Sequence, residues 1–254
     1  MGLFNRRKFK LDFFVVGVQK GGTSALDSYL KQHPEILMSS KKEIHFFDTD
    51  DHFKEAKPNY DILKGYYPSY KKHKLLGEIT PSYMYWNPAI ERIHRYNSDV
   101  KILAILRNPM ERAFSNWNME YARGNESLNF LECIEREISE IDTQTKVQNI
   151  YSAYVERGLY RNQMERINAY FSKEQVMYIK YEDFLSHQES TVARVLDFLD
   201  VEPFLGTFET KTVNKFDYNR SISEIEKQLL VSYFKDEIDY VETTLGWNCT
   251  DWKH

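Results

Sequence analysis

Cysteine is nearly absent from this sequence. The two present, Cys133 and Cys249, lie far apart, and neither belongs to a Cys-x-x-Cys pair. That excludes a disulfide framework and a zinc knuckle, and makes a reducing compartment the simplest setting. No run of 18 apolar residues occurs, so no membrane span is expected. The basic N-terminus is followed by the apolar stretch Phe13–Val18, which is too short for a signal peptide and has no small-residue cleavage site after it. A myristoylation signal would need Ser or Thr at position 6, where Arg6 stands. Together these absences point to a cytoplasmic location. Charge of one sign is lacking too. Thirty-four Lys and Arg face 38 Asp and Glu for a net charge of −4, which excludes a general nucleic-acid binder. There is no internal repeat, low-complexity tract or composition break, so residues 1–254 are expected to form a single domain. Nothing in the sequence sets an oligomeric state.

What is present is an apolar content of 42 %, enough for a sizeable core. Phe13–Val18, Leu75–Ile79, Lys101–Leu106 and Val176–Lys180 are continuous apolar runs of the kind that form buried parallel strands, and Glu35–Met38 is a shorter one. Between them, 23–32, 109–123, 128–141, 162–171, 189–199 and 223–244 carry apolar residues at helical spacing, and Pro109 stands at a helix start. Strands alternating with helices predict an α/β fold, a three-layer domain with a central, mainly parallel sheet flanked by helices. Residues 48–70 should form short helices over one face. Residues 201–222, with Pro203 and Gly206, read as a long loop.

The strand at Phe13–Val18 runs into Gln19-Lys20-Gly21-Gly22-Thr23-Ser24, and a helix follows. Strand, glycine-rich turn and helix make a phosphate cradle: glycines bring backbone N–H groups close to an anion, and the helix N-terminus adds partial positive charge. The nucleoside-triphosphate loop G-x-x-x-x-G-K-[ST] is approached but not met. Gly17, Gly22 and Ser24 are in place, yet Thr23 stands where that loop needs Lys, and the lysine sits earlier, at Lys20. No Asp closes a strand to hold a metal, so an ordinary NTPase is disfavoured. A second anion site is expected at Arg107-Asn108-Pro109, where an arginine fork ends a strand and Ser115 follows about two helical turns on. Two such sites on neighbouring strands suit a nucleotide with phosphates on both its 5′ and 3′ positions. A small-molecule P-loop kinase and a non-catalytic nucleotide-binding protein stay open on this reading.

These residues resemble the PAPS-dependent sulfotransferases, in particular the heparan-type and bacterial sulfotransferase domains (PAPS being 3′-phosphoadenosine 5′-phosphosulfate). Lys20, Gly22, Thr23 and Ser24 match the K-x-G-T-[ST] loop that binds the 5′-phosphosulfate in that family. Arg107, Asn108, Pro109 and Ser115 match its 3′-phosphate motif. Lys42-Glu43-Ile44-His45-Phe46-Phe47-Asp48 looks like the segment carrying the family's catalytic carboxylate. Gly77-Glu78-Ile79-Thr80-Pro81-Ser82-Tyr83 resembles its E-K-[ST]-P-x-Y segment, with Ile79 in place of the lysine common in the carbohydrate enzymes. Leu245-Gly246-Trp247 and Trp252 fit its usual ending, and a loop around Asn214 and Lys215 would cover the nucleotide. The likeness runs from Phe13 to Trp252 and implies a P-loop-type domain.

The implied reaction is in-line displacement at sulfur, with Lys20, Gly21, Gly22, Thr23 and Ser24 stabilising the leaving phosphate and no metal required. Glu43 and His45 compete as the base. In an extended segment the two side chains would share a side. Histidine has the better resting pKa, whereas the resemblance favours Glu43, with a carboxyl raised by burial beside Phe46 and Phe47. Lys41 and Lys42 are placed to meet an acidic acceptor, Lys71–Lys74 read as a solvated face, and Arg123 and Arg157 are candidate lid residues. The acceptor is expected to offer a hydroxyl or amine on a saccharide, a lipid headgroup or a small metabolite. Aromatic residues between Tyr60 and Trp86 would either stack on sugar rings or fill the core.

Overall fold

The central strand, β1 (Phe13–Gly17), is buried at every position. It pairs with β3 (Leu75–Ile79) on one side and β4 (Lys101–Leu106) on the other. β2 (Ile36–Met38) and β5 (Val176–Lys180) form the edges, and the order β2-β3-β1-β4-β5 is parallel throughout. This computed structural model describes residues 8–204, 206, 208–209 and 220–253. Asn214 and Lys215, expected to cover the nucleotide, lie outside the described residues.

Continuous apolar runs form these strands because both faces of the sheet are covered. Phe14, Val16, Ile102, Ala104 and Leu106 enter one core, with α3 (Asn87–Tyr96), α4 (Pro109–Ala122), α5 (Phe130–Asp142), α6 (Tyr160–Tyr170) and α9 (Glu224–Leu245). Phe13, Val15, Leu103, Ile105 and Ile179 enter the other, with α1 (Thr23–Leu30), α7 (Tyr181–Ser186) and α8 (Gln188–Phe198). Gly77 is a steric requirement: a Cβ there would stand 2.1 Å from the ring of Phe13. Residues 48–70 form short helical pieces as expected, a 3₁₀ turn at Asp50–Phe53 and α2 (Asp61–Lys64).

The helix ends obey local rules. Pro109 opens α4, and the Asn108 side chain accepts from the N–H groups of Met110 (3.0 Å) and Glu111 (3.5 Å). Asn129 and Glu132 close a capping box on α5, and Ser223 and Glu226 close one on α9. Gly246 ends α9 in the left-handed region (φ 67°), which turns the chain back to the sheet. There Lys180 Nζ donates to Asn248 O and to Asp251 Oδ1, both at 2.7 Å, and Trp252 is buried.

Parallel strands put all their carboxyl ends on one edge, where open α/β sheets bind ligands. The segments after β1, β2, β3 and β4 all emerge there, and they contain every described residue expected to act.

Candidate active site

The segment after β1 is fastened to its neighbour. Val18 N–H donates to Ile105 O at 2.8 Å and Gly21 N–H to Val18 O at 2.9 Å. A Cβ on Gly21 would stand 2.8 Å from Ile105 O, and one on Gly22, whose φ is 82°, would meet the ring of Tyr181 at 3.0 Å. Both glycines are therefore demanded by close approach, the second also by its backbone angle. Lys20 is left-handed as well (φ 70°) without being glycine, a strained position of the kind found at functional sites. Thr23 and Ser24 open α1. That helix has no side-chain cap and no acidic residue in its first turn, so its amide dipoles face the edge uncompensated.

Positive charge gathers around this turn. Arg107 Nη1 donates to Lys20 O at 3.1 Å, which joins the two expected anion sites directly. Its guanidinium stacks 4.8 Å from the centre of the Tyr181 ring, and Tyr160 O–H donates to Arg107 O at 2.7 Å. Burial brings the Lys20 ammonium down to about 8, helped by Arg107 and Arg123 and opposed by Glu120. Ser115 is buried on α4, between Arg112 and Asn116, both fully buried. Arg112 gives one N–H to Tyr154 O, while among the described residues its Nε and Nη1 have no partner, nor has the Asn116 amide. Cations held this close, with orphaned donors behind them, suit an anionic ligand.

The segment after β2 is shaped by the end of β3. Glu43 N–H donates to Ile79 O (3.0 Å), Ile44 N–H to Glu78 Oε1 (3.3 Å) and Phe46 N–H to Tyr83 O–H (3.0 Å). Glu78 is fully buried, takes a further bond from the Thr80 hydroxyl, and is pushed up to about 8 by burial. Ile79 points into the core of α1 and α8, so its position brings no charge to the site.

Glu43 and His45 do meet, but not as expected. The backbone is left-handed at both (φ 60° and 59°), not extended, with Ile44 buried between them. His45 Nε2 stands 3.7 Å from Glu43 Oε2, and Nδ1 stands 2.8 Å from Asp48 Oδ2. The Ser82 hydroxyl donates to the same Asp48 oxygen, and Lys42 pairs with the other Glu43 oxygen. The expected rise of the Glu43 carboxyl is overturned. Burial does push it up, but His45 and Lys42 outweigh that and bring it to about 2. Phe46 and Phe47 are spent in the core against Phe53, Tyr60 and Tyr83. His45 is lifted to about 9 by Asp48 and then Glu43, so at neutral pH it is an imidazolium.

Several expectations change with this geometry. Lys42 is engaged by Glu43, and of the pair only Lys41 is exposed. Tyr67, Tyr83 and Tyr85 are buried, so among the aromatics of 60–86 these three fill core. Arg123 is exposed and pairs with Glu120 at 3.3 Å. Arg157 is no lid: it is 4 % exposed, donates to Gln19 Oε1 and to Ile150 O (2.7 Å), and lies 4.7 Å from the centre of the Tyr85 ring. Asp48, Ser82 and Gln19 carried no role in the sequence, although each stands in a segment singled out there.

The sheet order, the cradle after β1 and the cation cluster define a P-loop-like α/β domain with cations gathered at its carboxyl edge. The model of the sulfotransferase domain family matches residues 10–233, and the chain belongs to that family. It is 26 % identical over 301 aligned positions to the membrane-associated sulfotransferase kil1 of Dictyostelium discoideum, covering 88 % of this chain and 63 % of that one. It is 30 % identical over 203 positions to human heparan sulfate glucosamine 3-O-sulfotransferase 6, covering 78 % and 54 %. The chain thus spans between half and two thirds of these relatives' lengths. Among solved structures, a sulfotransferase from Alicyclobacillus acidocaldarius superposes with a TM-score of 0.83 at 26 % identity, over 97 % of this chain and all of the other. No helix among the described residues is long and apolar enough to cross a membrane.

Proposed function

We propose that this protein transfers a sulfuryl group from PAPS to a hydroxyl or amine of an acceptor. The observation that carries the proposal is the contact that joins Arg107 to Lys20 at the uncapped start of α1, on the same edge as an ionised Glu43. PAPS supplies a phosphosulfate anhydride whose leaving group is the 5′-phosphate. Lys20, the amides of Gly21 and Gly22 and the hydroxyls of Thr23 and Ser24 stabilise the charge that develops on that phosphate oxygen. Preorganised donors of this kind are worth roughly 2.7–4 kcal/mol each. Arg107 and Ser115 hold the 3′-phosphate, with positive charge supplied by side chains and no metal. The acceptor atom attacks sulfur, the bond from sulfur to the 5′-phosphate oxygen breaks, and the acceptor proton passes to Glu43.

Glu43 is favoured over His45 because a base must be unprotonated before it acts. Glu43 is ionised above about pH 2, while His45 keeps its proton until about pH 9. His45 then orients Glu43, and Asp48 with Ser82 orients His45. An acceptor that displaces Lys42 from Glu43 raises the basicity of the carboxylate when it is needed. The relatives named for heparan sulfate favour a saccharide acceptor, with a glycolipid next. Cys133 and Cys249 are buried free thiols, in keeping with a cytoplasmic setting.

The test is transfer from PAPS across a panel of saccharides, glycolipids and small alcohols and amines, read by mass. Gain of one sulfuryl group, with thermal stabilisation by 3′-phosphoadenosine 5′-phosphate (PAP) in the presence of chelator, is expected. Stabilisation by ATP with magnesium instead, and no transfer, would sink the proposal.

A further inference from the structure

Arg157 is a deeply buried cation that touches the segment after β1, and the mechanism above does not use it. One of its terminal nitrogens donates to Gln19 Oε1 and the other to Ile150 O, while its face covers the ring of Tyr85. Burial, with Arg112 next, brings it down to about 10, so it stays charged at neutral pH. The carboxylates that act on it are Asp48, which is bonded to His45, and Glu137, whose oxygens are taken by the N–H groups of Tyr154, Val155 and Glu156.

A guanidinium only donates. The Gln19 amide therefore has one permitted orientation, with its oxygen toward Arg157 and its NH₂ turned away. Among the described residues nothing accepts from that NH₂, and Gln19 is half-buried, so the group is within reach of solvent or ligand. Its place in the site is equally constrained. Gln19 directly precedes Lys20, and the charges that act on Arg157 include Asp48, which is hydrogen-bonded to His45. Gln19 is thus joined to Lys20 along the chain and, through Arg157, to the charge of Asp48 beside His45. In an in-line displacement the sulfur atom lies between the leaving phosphate and the acceptor, the two groups these residues serve.

We propose that the Gln19 NH₂ donates to the sulfuryl oxygens of PAPS, and that Arg157 is a positioning residue that fixes this amide in its donating orientation. The inference rests on the sulfotransferase reading. A neutral amide is well suited here: it steadies the sulfuryl oxygens without a further positive charge beside Lys20, whose ammonium is already depressed by burial and then by its cationic neighbours.

The test needs no acceptor, because PAP lacks only the sulfuryl group. Affinities for PAPS and PAP are measured by calorimetry for each variant. Gln19→Met should weaken PAPS by roughly tenfold or more, the scale of one hydrogen bond to a charged group, and leave PAP within about threefold. Arg157→Gln, whose amide donates or accepts and so no longer dictates the orientation, should lower the PAPS-to-PAP preference in the same direction. Arg157→Lys, again a pure donor, should restore it. If Gln19→Met does not fold, Gln19→Glu replaces it: that carboxylate stays paired with Arg157, has no N–H, and must also lose the preference. An unchanged preference in the Gln19 variants overturns the proposal, and so does Arg157→Lys behaving like Arg157→Gln. Wild-type protein that binds both nucleotides but shows no variant effect refutes this inference alone. Wild-type protein that binds neither removes the sulfotransferase reading and this inference with it.

Discussion

The segment after β1 and the segment after β2 leave the same sheet edge, yet they hold charge in opposite ways. Around Lys20 burial has the largest effect, and the neighbours that matter most, Arg107 and Arg123, are cations that add to it. Around Glu43 the signs alternate, with Lys42 on one oxygen, His45 near the other and Asp48 beyond His45. The first arrangement is electrostatically unfavourable until an anion arrives. The second is already balanced, and an acceptor must break part of it. Donor binding should therefore stabilise the fold strongly, whereas the base should be nearly silent until an acceptor enters. Backbone geometry differs as well. Gly21 and Gly22 are required by close contacts with Ile105 and Tyr181, whereas Glu43 and His45 are non-glycine residues held left-handed in a segment bonded to the end of β3.

The largest effect that would separate the two regions is the loss of the base. Glu43→Gln removes the proton acceptor, keeps the shape and should lower kcat by roughly 10²- to 10⁴-fold. Stabilisation by PAP should stay at the wild-type value. A rate within about threefold of wild type would end the assignment of Glu43, and a lost PAP shift would mean that the two regions are not separable. Lys20→Met should cost roughly 10²- to 10³-fold in kcat, the scale of one preorganised donor. Unlike the first variant, it should also abolish most of the thermal shift given by PAP. Turnover and thermal shift, measured on both variants, form a two-by-two comparison with one empty corner.

The donor region was largely legible in the sequence because its logic is local. Strand, turn and helix are consecutive, and Gly21 is needed by contacts with Val18 and the adjacent strand, though the Tyr181 ring that crowds Gly22 comes from far along the chain. Arg107 was legible for the same reason, as a residue ending a strand just before a capped helix. The acceptor region was read only in part. Glu43 and His45 stood in a recognisable segment, but their backbone angles are set by Glu78, Thr80 and Tyr83, more than thirty residues on, and no local pattern encodes that. The carboxyl of Glu43 was expected to rise because the neighbouring rings suggested an apolar site. Those rings turned inward, and the neighbours that decide its charge are His45 and Lys42. Gln19 and Arg157 come together across 138 positions, a pairing that only the fold creates.

A smaller effect sharpens the contrast through pH. The Lys20 ammonium sits at about 8 in the free protein, and a bound phosphate would raise it. PAP affinity should therefore be flat between about pH 7 and 8, where both phosphates are ionised, and fall above it, by up to about tenfold per pH unit. In Lys20→Arg, which keeps its charge, the curve should flatten across pH 8–9. A wild-type curve with no break near pH 8 would show that Lys20 is not the titrating group at the donor site.

The smallest effect belongs to the balanced region and has the opposite sign of interest, since it concerns the protein without ligand. His45 is raised from about 6.5 to about 9 on folding, chiefly by its bond to Asp48. Its stabilising contribution is fully present below pH 6.5 and is lost as pH rises through 9. The His45 side chain is 38 % exposed, so solvent screening should hold the net effect to about 1 kcal/mol or less. Asp48→Asn removes the main cause of the rise. Denaturant midpoints of wild type and Asp48→Asn should therefore differ most at pH 6 and converge toward pH 10. Parallel curves would mean that Asp48 holds the 43–48 segment by shape, through Ser82, and not by charge through His45. The acceptor region would then owe its geometry to hydrogen bonds from β3 alone, and the contrast with the donor region would lie in backbone and not in electrostatics.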